Sequence, residues 1–174
     1  MMVLFNKPFG VLCQFSGEGD TLSDYIDIKD VYPAGRLDKD SEGLLLLTDD
    51  GKLQHKISHP KFNKEKTYLV QVDGAMTTEA VEQLKQGVVL KDGKTKPANI
   101  EIINQPDWVW PRTPPIRVRK NIPTTWIKIG ITEGKNRQIR RMTAHVGFPT
   151  LRLIRSQIGD WQLDKIKPGK YECF

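Results

Sequence analysis

Two stretches of this chain alternate cleanly between apolar and polar positions. In Lys66–Val72, Thr67, Leu69 and Gln71 fall on one face and Tyr68, Val70 and Val72 on the other, the period of a strand. Trp126–Ile131 alternates in the same way. Met2–Phe5, broken by Lys7-Pro8-Phe9-Gly10 and resumed at Val11–Phe15, reads as further strand, as do Ile100–Ile103 and Leu151–Ile154. Val88–Leu90, the Asp92-Gly93 turn and Lys94 onwards predict a hairpin. Helical spacing appears elsewhere. Lys52–Ser58 places Leu53 and Ile57 four apart and stops at His59-Pro60, and Thr78–Lys85 is amphipathic and stops at Gly87. Thr21 can cap a short helix over Leu22–Ile26, after a surface loop at Ser16–Asp20. The pattern also predicts a helix over Arg137–Val146, capped by Asn136 and ended by Gly147. Its Ile139, Met142, Thr143 and Val146 form one buried stripe. Arg137 and Arg141 lie opposite. Arg140 lies at the boundary, where it can lean toward a buried acid and keep it ionised.

Val31–Ala34 leads into the stretch on which the chain centres, GRLDKDSEGLLLLTDDG from Gly35 to Gly51. A glycine-opened turn carries Arg36, Asp38, Asp40, Ser41 and Glu42, and an unbroken apolar run from Leu44 to Leu47 anchors it. That run is a strand buried on both faces or a short core helix. Three readings of the turn compete. Asp38 and Asp40 can hydrogen-bond local backbone N–H groups as an Asx-rich turn. Asp38, Asp40, Glu42 and Asp49, with Gly43 between, match calcium-loop spacing, but Pro33 and Gly35 interrupt the helix that should enter such a loop. Or Asp38 is a nucleophile or general base, with Arg36 available for a substrate phosphate.

A length of 174 residues with 38% hydrophobic and 28% charged residues fits one globular domain of one or two lobes. The two cysteines, Cys13 and Cys173, form no motif, which predicts a reduced cytoplasmic protein. No stretch reads as a signal peptide or membrane span, so no membrane association is expected. The charge is segregated. Residues 1–110 hold 13 Lys+Arg against 17 Asp+Glu, net −4, whereas residues 111–155 hold 11 against the single acid Glu133, net +10. One basic block of that kind points to a polyanion, nucleic acid ahead of membrane. A solvated basic face is the plainer account.

The start of that block is irregular by necessity. Asp107–Trp126, DWVWPRTPPIRVRKNIPTTW, contains Pro111, Pro114, Pro115 and Pro123, which exclude regular helix or sheet interior. Trp108, Trp110 and Trp126 interleave with Arg112, Arg117, Arg119 and Lys120. Aromatic faces stack on unpaired bases and arginines take phosphates, so the mixture suits splayed RNA. Trp126 serves equally well as a core anchor. Tyr68 is an ordinary core aromatic or presents its ring to a ligand.

Several motifs together carry a resemblance. Asn6-Lys7-Pro8-x-Gly10, GRLDxxSEGLLLLT over Gly35–Thr48, Lys66-Thr67-Tyr68, EGKNRQIRRM over Glu133–Met142 and LxR at Leu153–Arg155 follow one another in the order found in one family. The chain resembles the family of ribosomal pseudouridine synthases whose A type serves the small ribosomal subunit; its B, E and F types serve the large one. The loop around Trp110–Arg117 is most similar to the E type, which acts on 23S rRNA. The resemblance implies that Asp38 attacks the target nucleoside, at the ribose or at the uracil ring. It implies that Arg140 pairs with that aspartate, that Tyr68 packs on the uracil and assists loss of the C5 proton, and that Arg36 holds the RNA in its extruded state. No metal or other cofactor is implied, consistent with three scattered histidines. No S4-type module is expected before the catalytic part, so the catalytic domain is expected to recognise RNA itself, a duty the basic block fits. Arg112, Arg117, Arg137, Arg141 and Arg155 of that block, with Lys66 outside it, are the candidate RNA contacts.

The expected fold is therefore mixed α/β (α+β), a largely antiparallel sheet with flanking helices and a central RNA-binding cleft where the Asp38 turn meets Tyr68 and the Arg137 helix. The expected partner is ribosomal RNA, 23S ahead of 16S, naked or in an assembling particle, and the expected state is a monomer. A non-catalytic rRNA-binding protein and a calcium module are the rivals.

Overall fold

The computed structural model describes residues 1–117 and 119–174; Val118 lies outside the described residues. The chain forms two compact units, one from Met1–Lys64 with Ile154–Phe174, the other from Glu65–Leu153. Among the described residues no helix is long and apolar enough to cross a membrane.

In the first unit, β1 (Met2–Lys7) pairs antiparallel with β3 (Glu42–Thr48), and β2 (Tyr32–Ala34) covers the far end of β3. The run Leu44–Leu47 is thus a strand, and its four leucines are fully buried. α1 (Gly51–Ser58) follows, capped by the Asp50 carboxylate, which accepts from the N–H groups of Lys52 and Leu53. β3 also pairs in parallel with the later part of β9 (Thr150–Ile158), through Glu42↔Ile154 and Gly43↔Arg155. Three short strands were not foreseen, β2 among them. β10 (Trp161–Gln162) folds back on β9, and β11 (Tyr171–Cys173) pairs with β1. Val3, Phe5, Leu22, Leu45 and Leu47 form the centre of this unit's core.

Two expectations fail here. Val11–Phe15 does not resume the strand: Gly10 turns the chain, and the Val11 carbonyl accepts from the Lys7 ammonium instead of from a neighbouring strand. The helix expected over Leu22–Ile26 is a single 3-10 turn, Leu22–Asp24. Thr21 does cap it, in a reciprocal box with Asp24.

In the second unit, β4 (Lys66–Asp73) pairs antiparallel with β8 (Thr124–Ile131), and β8 with β7 (Asn99–Ile103). α2 (Thr78–Gln86) and the hairpin β5 (Val89–Leu90) and β6 (Gly93–Lys94) lie where the pattern placed them. α3 spans Gln138–His145. Its cap is not Asn136. Arg137 occupies that position in left-handed backbone, φ 53°, without a side-chain cap, since a guanidinium has no acceptor to offer the helix N–H groups, and the Gln138 side chain accepts from the Lys135 N–H at 3.2 Å. The stripe of Ile139, Met142 and Thr143 is buried, and Gly147 follows the helix as expected. Val70, Val72, Leu84, Ile127, Ile129 and Met142 make the core of this unit.

Candidate active site

The Asp38 turn is held at both ends by buried cations of its own unit. Lys7, the last residue of β1, has no exposed surface. Its ammonium donates to the carbonyls of Pro8 and Val11 at 2.9 Å each and of Lys39 at 3.3 Å. Burial lowers its pKa from 10.5 to about 8, against the raising influence of Cys13, Glu42, Asp40 and Asp38. The Gly10 N–H donates to the same Lys39 carbonyl at 2.8 Å. Arg155, 2% exposed, serves the flanks of the turn: Nε donates to Leu44 O at 2.9 Å, and the two terminal nitrogens to Gly35 O at 2.9 Å and Arg36 O at 3.4 Å. Gly43 lets the strands come this close. Its φ is +104°, and a Cβ there would stand 2.3 Å from the Arg155 carbonyl oxygen.

Between these anchors Asp38 is half-buried and Arg36 exposed, while Glu42 is 1% exposed at the start of β3. A carboxylate on a turn gripped from below by two cations is held to a narrow range of positions while it keeps contact with solvent. The calcium reading fails on the same geometry. Its last residues, Glu42 to Asp49, run out along β3 rather than wrapping around an ion.

Arg155 was expected among the RNA contacts. Its burial and its carbonyl partners place it under the turn instead. Lys7 was expected only as part of a motif. The signal available was a lysine before proline at the end of a strand that opens with four apolar residues, where a buried amine needs carbonyl partners.

The second unit carries the remaining candidates. Tyr68 is 8% exposed, opposite Ile129 on β8. Lys66, half-buried at the start of β4, brings its ammonium within 3.4 Å of where a Gly134 Cβ would stand, beside the Glu133–Arg137 turn. Arg137 is exposed and Arg140 half-buried at the start of α3. Arg141 forms a two-pronged pair with Asp92 of the hairpin turn, at 2.7 and 3.2 Å, and this bond holds the Asp92 carboxyl below its usual pKa. From 107 to 123 the proline-rich segment contains no regular element among its described residues, whereas its last three residues, Thr124, Thr125 and Trp126, open β8. Arg112 fastens it, donating to Pro114 O, Pro115 O and Leu151 O at 2.8 to 3.5 Å. Arg152 stacks its guanidinium 5.6 Å from the Trp110 ring. Trp108 is 51% exposed, Trp126 is buried on β8, and Arg117 is exposed.

Known proteins share both the sequence and this architecture. The family model of RNA pseudouridylate synthase matches residues 1–145. Over 173 residues the chain is 57% identical to ribosomal large subunit pseudouridine synthase E of Vibrio parahaemolyticus, covering 98% of this chain and 72% of that protein. It is 54% identical over 172 residues to the protein of the same name from Xanthomonas axonopodis pv. citri, covering 97% of this chain and 90% of that one. A crystal structure of a pseudouridylate synthase matches with a TM-score of 0.83 and 32% identity, over 98% of this chain and 68% of that one. The mixed α/β architecture with mostly antiparallel strands is the expected one. The chain belongs to the RNA pseudouridylate synthase family.

Proposed function

We propose that this pseudouridine synthase isomerises one uridine of 23S ribosomal RNA, with Asp38 as its nucleophile. The reading is supported by relatives 52% to 57% identical that bear the name ribosomal large subunit pseudouridine synthase E. The observation that carries it is the gripped turn, with Asp38 half-buried between the anchors of Lys7 and Arg155.

In the reaction the N1–C1′ bond of uridine breaks, the uracil turns, and a C5–C1′ bond forms while C5 loses a proton and N1 gains one. Atoms and electrons are conserved, so an isomerase needs only to hold, cleave and rotate. Asp38 supplies the attacking carboxylate. Tyr68 and Arg140 serve the same uridine as the aromatic and cationic groups of the reaction, and Arg36 supports the extruded nucleotide. A stacked uridine is out of reach, so the nucleotide is flipped out at about a few kcal/mol. Lys66, Arg112, Arg117, Arg137 and Arg141 offset that by phosphate contacts. Arg155 acts by holding the turn.

The test is incubation of the monomeric protein with transcribed 23S and 16S rRNA in EDTA, followed by carbodiimide mapping of pseudouridine. One new stop is expected in 23S rRNA, absent with Asp38→Asn although that variant binds the transcript normally. An active Asp38→Asn protein would remove the nucleophile. Binding without any stop, on transcripts and on ribosomal precursor particles alike, would favour a non-catalytic rRNA-binding protein.

A further inference from the structure

A second run of cations, separate in sequence from the basic block, lies in the first unit. Residues 51–64 contain Lys52, Lys56, Lys61 and Lys64 and no acid, whereas residues 1–50 hold 4 Lys+Arg against 10 Asp+Glu. Lys52, His55, Lys56 and His59 follow helical spacing along α1 and its C-cap, and all four are exposed. Like charges at i and i+4 with no acidic neighbour in the helix oppose its formation. Such an arrangement is expected where a polyanion supplies the missing charge.

The aromatic groups beside them are fixed. His59 ends α1, and its Nδ1 accepts from the Lys61 N–H at 3.2 Å, starting the 3-10 turn Pro60–Phe62. The His55 and His59 rings lie 4.7 Å apart, and the Phe62 ring meets them edge-on at 5.8 and 6.5 Å. Phe62 keeps 39% of its surface exposed, with the Lys61 ammonium 5.0 Å from its ring centre. Exposed rings held in place among lysines match the combination that binds unpaired nucleotides: stacking faces whose ordering cost is already met, and charges for the phosphates.

The place of the patch within the unit matters. The Asp38 turn enters β3 at Glu42, whereas Gln54 of α1 donates to Pro33 O, level with Leu47 near the other end of β3. Five residues of strand separate those levels by about 17 Å.

We infer that α1 and the turn after it form an accessory RNA-binding surface that engages an unpaired stretch of the substrate RNA several nucleotides away from the target uridine. This rests on the RNA substrate proposed above and extends it. The surface adds affinity for a large RNA that a short fragment around the target would lack.

Filter binding of a 23S rRNA transcript across a salt series tests it, with thermal midpoints measured alongside. Changing Lys52, Lys56 and Lys61 together to Glu is expected to raise Kd at least tenfold and to make the dependence of log Kd on log salt shallower by about 2, since each lost phosphate contact removes roughly 0.7 to 0.9. Phe62→Ala is expected to raise Kd about fivefold or more with the salt slope unchanged. Changing the same lysines to Arg should keep both wild-type values. Unchanged Kd and slope in the Glu variant, or equal loss in the Arg variant, would overturn the proposal. Pseudouridine formation is scored separately, so a wild-type protein that binds but makes none would remove the reaction and leave the surface to be judged on Kd and slope alone.

Discussion

An ammonium with no exposed surface is costly, and Lys7 shows how the cost is contained. Its three protons meet three carbonyls, yet burial still pulls its pKa to about 8. The folded state therefore binds fewer protons than the unfolded chain between pH 8 and 10.5, so stability rises with pH across that window. Below pH 8 the full penalty is present. Relative to Lys7→Met, the wild-type protein is expected to gain roughly 2–3 kcal/mol between about pH 7 and about pH 10, read from urea midpoints; a pH-independent difference would contradict the buried charge. Gly43 answers to geometry rather than charge. Gly43→Ala must fit a methyl group 2.3 Å from the Arg155 carbonyl in left-handed backbone. A loss of about 2–4 kcal/mol in chemical denaturation is expected, and an undisturbed midpoint would mean that β3 and β9 separate easily.

At the scale of elements, the tryptophans of the proline-rich segment divide by burial. Trp126 fills β8 between Gln71 of β4 and Ile103 of β7 and is 7% exposed. Trp126→Ala should cost about 3–5 kcal/mol of stability. Trp108, on a segment fastened by Arg112 and backed by the Trp110–Arg152 stack, is half-exposed. Trp108→Ala should leave the thermal midpoint in place and weaken binding of 23S rRNA by about 5- to 100-fold, the worth of one stacked base. Equal behaviour of the two variants would show that burial does not separate anchor from ligand face. Arg141 illustrates a different economy. Its pair with Asp92 is largely solvated and adds little stability, but it ties the β5–β6 hairpin to the first turn of α3.

Across the whole molecule, what was legible in the sequence was what local pattern controls. Alternation placed β4 and β8, helical spacing placed α1, α2 and α3, and the prolines placed the irregular segment. β10 and β11 escaped because strands of two or three residues have no period and exist only through partners. Tyr171, for instance, pairs with Phe5 at the other end of the chain. The candidate nucleophile was legible from its motif, but its support was not. Charged side chains normally face water; Lys7 turns inward to carbonyls one, four and 32 residues away, and Arg155 to carbonyls 111 to 120 residues away. That dependence on distant partners has a consequence for synthesis on the ribosome. The first unit is discontinuous: its opening 64 residues must wait while the entire second unit is translated. Only then do Arg155, Ile166, whose carbonyl accepts from Asn6, and β11 arrive. Until that moment β1 has an open edge and the turn bearing Asp38 lacks one of its two clamps, so the nascent chain carries that carboxylate early and fixes its position last.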